Sequence, residues 1–212
     1  MSVAIALFTR DLRVHDNPVL HAACNAATQV VPLFVLDTGI LRSGSISANR
    51  ATFLAGALAD LDAHLREQGG HLVVRSGDTA KEVERVVTDL NVHEVHLAAD
   101  VSGYSQRRER ALRERLGCRL RVHAHTITVV EPGEITPSGG GAQFAVFTPY
   151  YRRWLQAQRR HLVQVPRRIS VPPIITDPLP SSEDLCPGPR SPHLPAGGES
   201  AGRRIMSGWL AG

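Results

Sequence analysis

Residues 3–23 read VAIALFTRDLRVHDNPVLHAA, and no other segment constrains the architecture as tightly. Val3, Ile5 and Leu7 alternate with Ala4, Ala6 and Phe8, so the run is apolar on both faces, as a strand buried inside a parallel sheet requires. Residues 9–13 end it with charge. Asp16 and Asn17 are helix-capping residue types, and Pro18 suits the first helical position, where its missing N–H would be unpaired anyway. Leu20, Ala23 and Ala27 then supply a helical stripe. The turn displays Arg10, Asp11 and Arg13 at the carboxyl end of a strand, the edge at which open α/β sheets bind ligands.

The alternation of strand and helix signals continues down the chain. Further strands are predicted at 30–36, 71–75, 94–99 and 119–124. The firmest helix spans 47–68, where Leu54, Leu58, Leu61 and Leu65 share a face and Gly69-Gly70 supplies a stop. Thr79 and Glu82 form a T-x-x-E capping box for the next helix, with Val83, Val86, Val87 and Leu90 on its inner side. Residues 104–116 make another. Strands joined by helices imply parallel pairing with right-handed connections, hence an α/β, doubly wound, three-layer sandwich on a mainly parallel five-stranded, Rossmann-like sheet.

Beyond residue 130 the pattern changes. Residues 131–141 hold two prolines and four glycines and read as a loop; no GK[ST] follows to make it a phosphate cradle. Thr148-Pro149 restarts a helix in which Tyr151, Trp154, Leu155 and Leu162 face a core and Arg152, Arg153, Arg159 and Arg160 face outward. Residues 166–196 hold nine of the 14 prolines, a linker composition unable to build a packed core. The expected plan is a domain core over 1–130, its completing loop and helix over 131–165, a linker over 166–196, and a new unit from 197.

Composition excludes several classes. Hydrophobic residues make up 42% of the 212, with no apolar run near the roughly 20 residues a membrane helix needs and no basic leader, so a cytoplasmic protein with no membrane contact is expected. Cys24, Cys118 and Cys186 lack CxxC spacing and read as reduced thiols, the first two buried. His93 with His96 does not match HExxH, and His123 with His125 merely share a strand face, so no metal is predicted. The net charge of +4 is weak support for nucleic-acid binding, and the arginine pairs read as solvated helix faces. Aromatics at 5% leave little material for base stacking. The first strand-to-helix turn lacks GxGxxG.

The wording FTRDLRVHDNPVL at 8–20 resembles the opening of the photolyase/cryptochrome family. Further matches follow in order: PLFVLD at 32–37, NRATFLAGALADLDAHL at 49–65, LVVRSGD at 72–78 and FTPYYRRW at 147–154. The resemblance implies an N-terminal α/β domain that holds a light-harvesting antenna pigment. It also implies a larger helical domain that carries FAD and, in light, repairs pyrimidine dimers in DNA. Residues 197–212, GGESAGRRIMSGWLAG, resemble the start of that helical domain, cut short in this chain. FAD and DNA contacts would lie in the missing part, so no catalytic residue carries over and this chain alone is expected to lack repair activity. A stand-alone flavin- or nucleotide-binding sensor module of the same fold is the alternative. A monomer is expected in either case.

Two antenna pigments are common in the family, a reduced folate (methenyltetrahydrofolate) and 8-hydroxy-5-deazaflavin, and the resemblance leans to the deazaflavin. Its matching positions are Arg10 and Asp11 after the first strand, Phe34, Val35, Leu36 and Asp37 at the second, Arg50 on the following helix, and Asp100 with Ser102 after the fourth. On this reading Asp100 accepts the ring N–H and Arg50 balances an anionic ring oxygen. Ser102 stands where a glutamate is often found, and Gly103 where proline is usual. Plainer roles compete: Asp11 and Arg13 could pair with each other or with Arg50, Asp37 and Asp100 could cap loops, and Phe34 and Leu36 could be core.

Overall fold

The computed structural model describes residues 1–141 and 143–212. Its elements are β1 (Val3–Phe8), α1 (Pro18–Ala26), β2 (Gln29–Asp37), α2 (Thr38–Arg42), α3 (Ala48–Glu67), β3 (Val73–Gly77), α4 (Thr79–Asp89), β4 (Glu94–Ala98), α5 (Gly103–Leu116) and β5 (Leu120–His123). After a long irregular stretch come α6 (Phe147–Gln156), α7 (Ser182–Leu185) and α8 (Glu199–Ala211). The five strands form one all-parallel sheet in the order β3-β2-β1-β4-β5. The expected α/β class is therefore what the chain adopts, and the strand order reverses direction between β1 and β4.

The two-faced apolar run explains the layering. Val3, Ile5 and Leu7 of β1 join a core with Val83, Val86 and Val87 of α4 and Leu112 and Leu116 of α5. Ala4, Ala6 and Phe8 point the other way, into Val19 and Leu20 of α1 and Leu58, Leu61 and Leu65 of α3. Alternate side chains of one strand thus feed two cores. Burying a side chain such as Leu7 or Phe8 contributes about 1.5–3 kcal/mol, so β1 anchors both layers at once.

Several local expectations are corrected. α4 is capped by Asp78, whose carboxylate accepts from the Lys81 amide, and not by a Thr79–Glu82 box. Thr79 donates instead to Asp37, and Glu82 lies buried against Gly77 and pairs with Arg85. Asn17 is the cap of α1, accepting from Leu20 N at 3.0 Å, while Asp16 takes a left-handed backbone (φ 49°). Cys24 and Cys118, both expected to be buried, are half-buried and exposed, respectively. No residue of α6 is buried, so Tyr151, Trp154 and Leu155 do not face a core, nor does exposed Leu162 beyond it.

The proline-rich stretch also departs from expectation. Ile169 is fully buried beside Leu65, and Val171 and Ile174 pack on the two cores. Ile169 N donates to Gln68 O, Val30 N to Ser170 O, and Asp177 N to Val74 O. Proline-rich chain without internal hydrogen bonds can lie along a sheet edge and cover its free groups. Residues 169–177 do this for β3 and the start of β2, so they act as a strap on the domain.

Candidate functional site

β1 and β4 are neighbours at the point where strand order reverses, and the first residues past their carboxyl ends meet there. Arg10 Nη1 lies 3.3 and 3.1 Å from the two carboxylate oxygens of Asp100. Asp100 also accepts from Ser102 N (3.0 Å) and Ser105 Oγ (2.9 Å). Burial pushes its carboxyl up, but these hydrogen bonds and the Arg10 charge outweigh it and hold the group below the usual carboxylate range. Its side chain is only 1% exposed, whereas that of Arg10 is 61% exposed. Asp100 therefore acts on the rim through Arg10.

Arg10 lines a cleft of about 590 Å³ together with Ile40 after β2, Ser45 and Ile46 before α3, Asn49, Arg50, Phe53 and Leu54 on α3, and Leu194 from the C-terminal segment. The walls are mostly apolar, and Arg10 and Arg50 are the charged residues among them. Arg50 is exposed and hydrogen-bonds the Ser45 carbonyl at 3.0 Å. The volume suits a planar multi-ring molecule, and the donors suit an anionic or carbonyl-bearing edge.

Of the residues singled out from sequence, the structure brings Arg10 and Arg50 into this cleft and links Asp100 and Ser102 to it through Arg10. Ser102 caps α5 with its hydroxyl. Phe34, Val35 and Asp37 line a small neighbouring cavity of about 80 Å³ with Thr79, Tyr104 and Arg108, and Ile40 borders both spaces. Asp37 is fully engaged: it accepts from Gly39 N and Ile40 N, from Thr79 Oγ1 and from Tyr104 Oη, the last two at 2.7 Å. Burial raises the carboxyl, yet these donors outweigh it and lower its pKa, while burial and that same bond push the Tyr104 phenol up to about 12. Leu36 packs on the α1/α3 core.

Asp11 sits below the rim, 2% exposed, accepting from Thr9 N and Asn17 Nδ2. Desolvation raises its pKa. The competing plainer role, in which Asp11 and Arg13 pair with each other or with Arg50, is not adopted; Arg13 donates to the carbonyls of His15, Asp16 and Thr126. These two residues brace the turn that carries Arg10.

Sequence reasoning missed Asn49, Phe53 and Leu54, though Asn49/Phe53 and Arg50/Leu54 are spaced i, i+4 on one helix face and could have been found that way. Leu194 had no such signal. It reaches the cleft because Gly197 crosses α3 in backbone contact with Phe53, and a Cβ there would also fall 3.1 Å from Ala57 N. Glu199 then accepts from Val14 N (2.9 Å) and His15 N (3.2 Å), and Ser200 N donates to Asp60. Gly197→Ala is expected to lift this crossing off α3 and cost about 2 kcal/mol by overpacking. Faster hydrogen exchange at the Val14 and His15 amides would show it; unchanged exchange would refute it.

An open, doubly wound sheet with a cleft past the carboxyl ends of its strands, here β1 and β2, defines a class of α/β domains that bind flat or nucleotide-like ligands. A sequence model of the DNA photolyase family matches residues 4–170, and the chain belongs to that family. The deoxyribodipyrimidine photo-lyase of Streptomyces griseus is 49% identical over 216 residues, an alignment covering all of this chain and 47% of the relative. The chain thus spans about half the length of this curated relative. Among solved structures, a class III photolyase from Agrobacterium tumefaciens superimposes with a TM-score of 0.84 at 21% identity, over all of this chain and 45% of that one. A photolyase from Sulfolobus tokodaii, described with two FAD molecules and a novel light-harvesting cofactor, gives 0.66 at 24% identity, over 87% and 41%. Among the described residues no helix is long and apolar enough to cross a membrane.

Proposed function

We propose that this chain is the light-harvesting portion of a deoxyribodipyrimidine photolyase and that the cleft between Arg10, Arg50 and Phe53 holds its antenna pigment. The observation that carries this reading is the cleft itself, at the carboxyl edge of the sheet, with mostly apolar walls and with Arg10 and Arg50 among its lining residues. The deazaflavin 8-hydroxy-5-deazaflavin fits this donor set better than a reduced folate. Its rings would pack between Phe53, Ile46 and Leu194, and Arg50 would balance charge on a ring oxygen. When bound, such a pigment supplies absorption of near-ultraviolet or blue light. The chain's own residues position it and exclude water. Light-driven repair of pyrimidine dimers, with FAD and DNA, then depends on residues beyond this chain, in keeping with relatives about twice its length.

Titration of the purified chain with deazaflavin and with methenyltetrahydrofolate, followed by absorbance and fluorescence, tests the reading. Deazaflavin is expected to bind more tightly, and Arg50→Ala to weaken it by about tenfold or more, the worth of one charge-assisted hydrogen bond. Binding of neither pigment by a folded chain would sink the antenna reading; tighter folate binding would overturn the choice of pigment.

A further inference from the structure

One wall of the cleft is built by a distant part of the chain. Eight of its lining residues fall within 10–54, and the ninth is Leu194. Residues 191–200, which deliver Leu194, are tied down along the length of α3. Ser191 N donates to Asn49 Oδ1 at 2.9 Å, so Asn49 both lines the cleft and holds the segment. Gly198 then passes so close to α3 that a Cβ on it would fall 2.6 Å from that of Asp60.

The far end carries the strongest anchor. The Glu199 side chain is 7% exposed, and its carboxylate accepts from the Val14 and His15 amides on the turn after β1. Two imidazoles enclose it: Nδ1 of His15 and Nδ1 of His64 lie 3.0 and 3.8 Å from its two oxygens, and the rings meet edge to face at 5.9 Å. Ser200 adds its amide to Asp60 at 3.0 Å, and its hydroxyl lies 3.2 Å from His64 Nε2. Ser191 is exposed and makes one bond to a neutral amide, whereas a buried carboxylate with backbone donors makes charge-assisted bonds about twice as strong. Glu199 therefore decides whether the segment stays down. Neither it nor the residues that hold it line the cleft.

We propose that Glu199 is a positioning residue for the cleft's ligand: through residues 191–200 it sets Leu194 against the pigment, so that occupancy of the cleft and docking of this segment strengthen each other. This coupling rests on the antenna reading of the cleft. A ligand that touches Leu194 binds the docked arrangement better than the undocked one, which is the condition for shifting that equilibrium. By linkage, the factor by which undocking weakens the ligand is the factor by which the ligand suppresses undocking. Because α8 starts at Glu199, pigment in the cleft also steadies the first turn of that helix.

The test is a double-mutant cycle on the full chain, read as affinity for 8-hydroxy-5-deazaflavin by fluorescence. Leu194→Ala and Glu199→Ala are each expected to weaken binding about fivefold. The double variant should also lose about fivefold, not the roughly 25-fold of independent sites, because an undocked segment has already taken residue 194 out of the cleft. Glu199→Gln keeps an oxygen for both amides and should return affinity to within about twofold of wild type. Gly197→Ala, which lifts the segment without touching Glu199, should match Glu199→Ala. In the wild type, saturating pigment should slow hydrogen exchange at the Val14 and His15 amides by about the same fivefold. If circular dichroism shows Glu199→Ala unfolded, Gly197→Ala and the wild-type exchange rates decide the matter. Additive losses in the cycle, full affinity in a folded Glu199→Ala or in Gly197→Ala, or exchange at those amides unmoved by pigment would each overturn the coupling and leave the antenna reading standing. Failure of the wild-type chain to bind either pigment would instead take down the antenna reading, and the coupling with it.

Discussion

Asp100→Ala is expected to lower the free energy of unfolding by about 3 kcal/mol and to weaken pigment uptake more than any other single change at the rim. Its carboxylate accepts from the Ser102 amide, the buried Ser105 hydroxyl and the Arg10 guanidinium. Truncation leaves the buried Ser105 hydroxyl without its acceptor, at about 1–3 kcal/mol, and removes the part-buried bond from the Ser102 amide, worth about 0.5–1.5 kcal/mol. Arg10 is mostly exposed and returns to water, so its loss adds little to stability. It does, however, release the guanidinium from the switch point, where it forms one side of the cleft. Asp100→Asn keeps an acceptor oxygen and should recover about half of the loss. Because the folded pKa of Asp100 is depressed, its contribution is present above the unfolded value near 3.8 and fades as pH falls through the folded one. Urea unfolding at pH 7 and below pH 3.8 checks both statements: the gap between wild type and Asp100→Ala should be wide at the first and shrink at the second. An equal midpoint at pH 7 would remove Asp100 from the centre of the rim.

Much of the sheet is legible in residue pattern, because period-two and period-3.6 burial act locally. The leucines of α3 and the two-faced run of β1 face the layers expected of them. What local pattern cannot carry is where a polar group finds its partner. Asp37 looks like a free ligand at a strand end, yet Thr79 and Tyr104, 42 and 67 residues away, consume its oxygens. Asp100 is likewise turned inward by Arg10, 90 residues away. The strap over residues 169–177 was hidden for a different reason: averaging over a proline-rich stretch conceals Ile169 and Val171, whose alternation suffices to pin an extended chain to a core. α6 shows the converse. Its amphipathic spacing suggested burial, but periodicity reports only that a face is apolar, not that anything in the chain covers it.

A second large effect is expected on mild acidification, where the protein should lose about 3 kcal/mol between pH 6.5 and pH 4. His96, 3% exposed on β4, has its Nδ1 2.9 Å from His123 Nε2 on β5, with the rings stacked at 5.2 Å. One nitrogen donates and the other accepts, so at least one of the two rings must be neutral, and the second proton would break the bond. Burial, followed by the His123 charge, pushes the His96 pKa down to about 4 against the opposing pull of Glu94. The unfolded chain therefore takes up the proton first, and stability falls as pH drops from about 6.5, at no more than about 1.4 kcal/mol per unit, until the folded pKa is passed. Asp16, Asp37, Asp60 and Asp100 have depressed pKa values and so weaken the fold only from about 3.8 downward, outside this window; the lowered pKa of His123 acts with that of His96, and the raised one of buried Asp11 opposes them. His96→Gln should flatten the pH dependence of the urea midpoint between pH 7 and pH 4.5, whereas a wild-type midpoint that does not move over that range would exclude the mechanism. The register adds a spatial prediction. His96 lies opposite Arg121 of β5 and Ala6 of β1, and His123 opposite Ala98, so the two rings meet across the β4–β5 ladder and charging either strains that edge first. Amides of the edge strand β5 should then exchange with solvent at a pH where those of β1 and β2, paired over six residues in the centre of the sheet, remain protected.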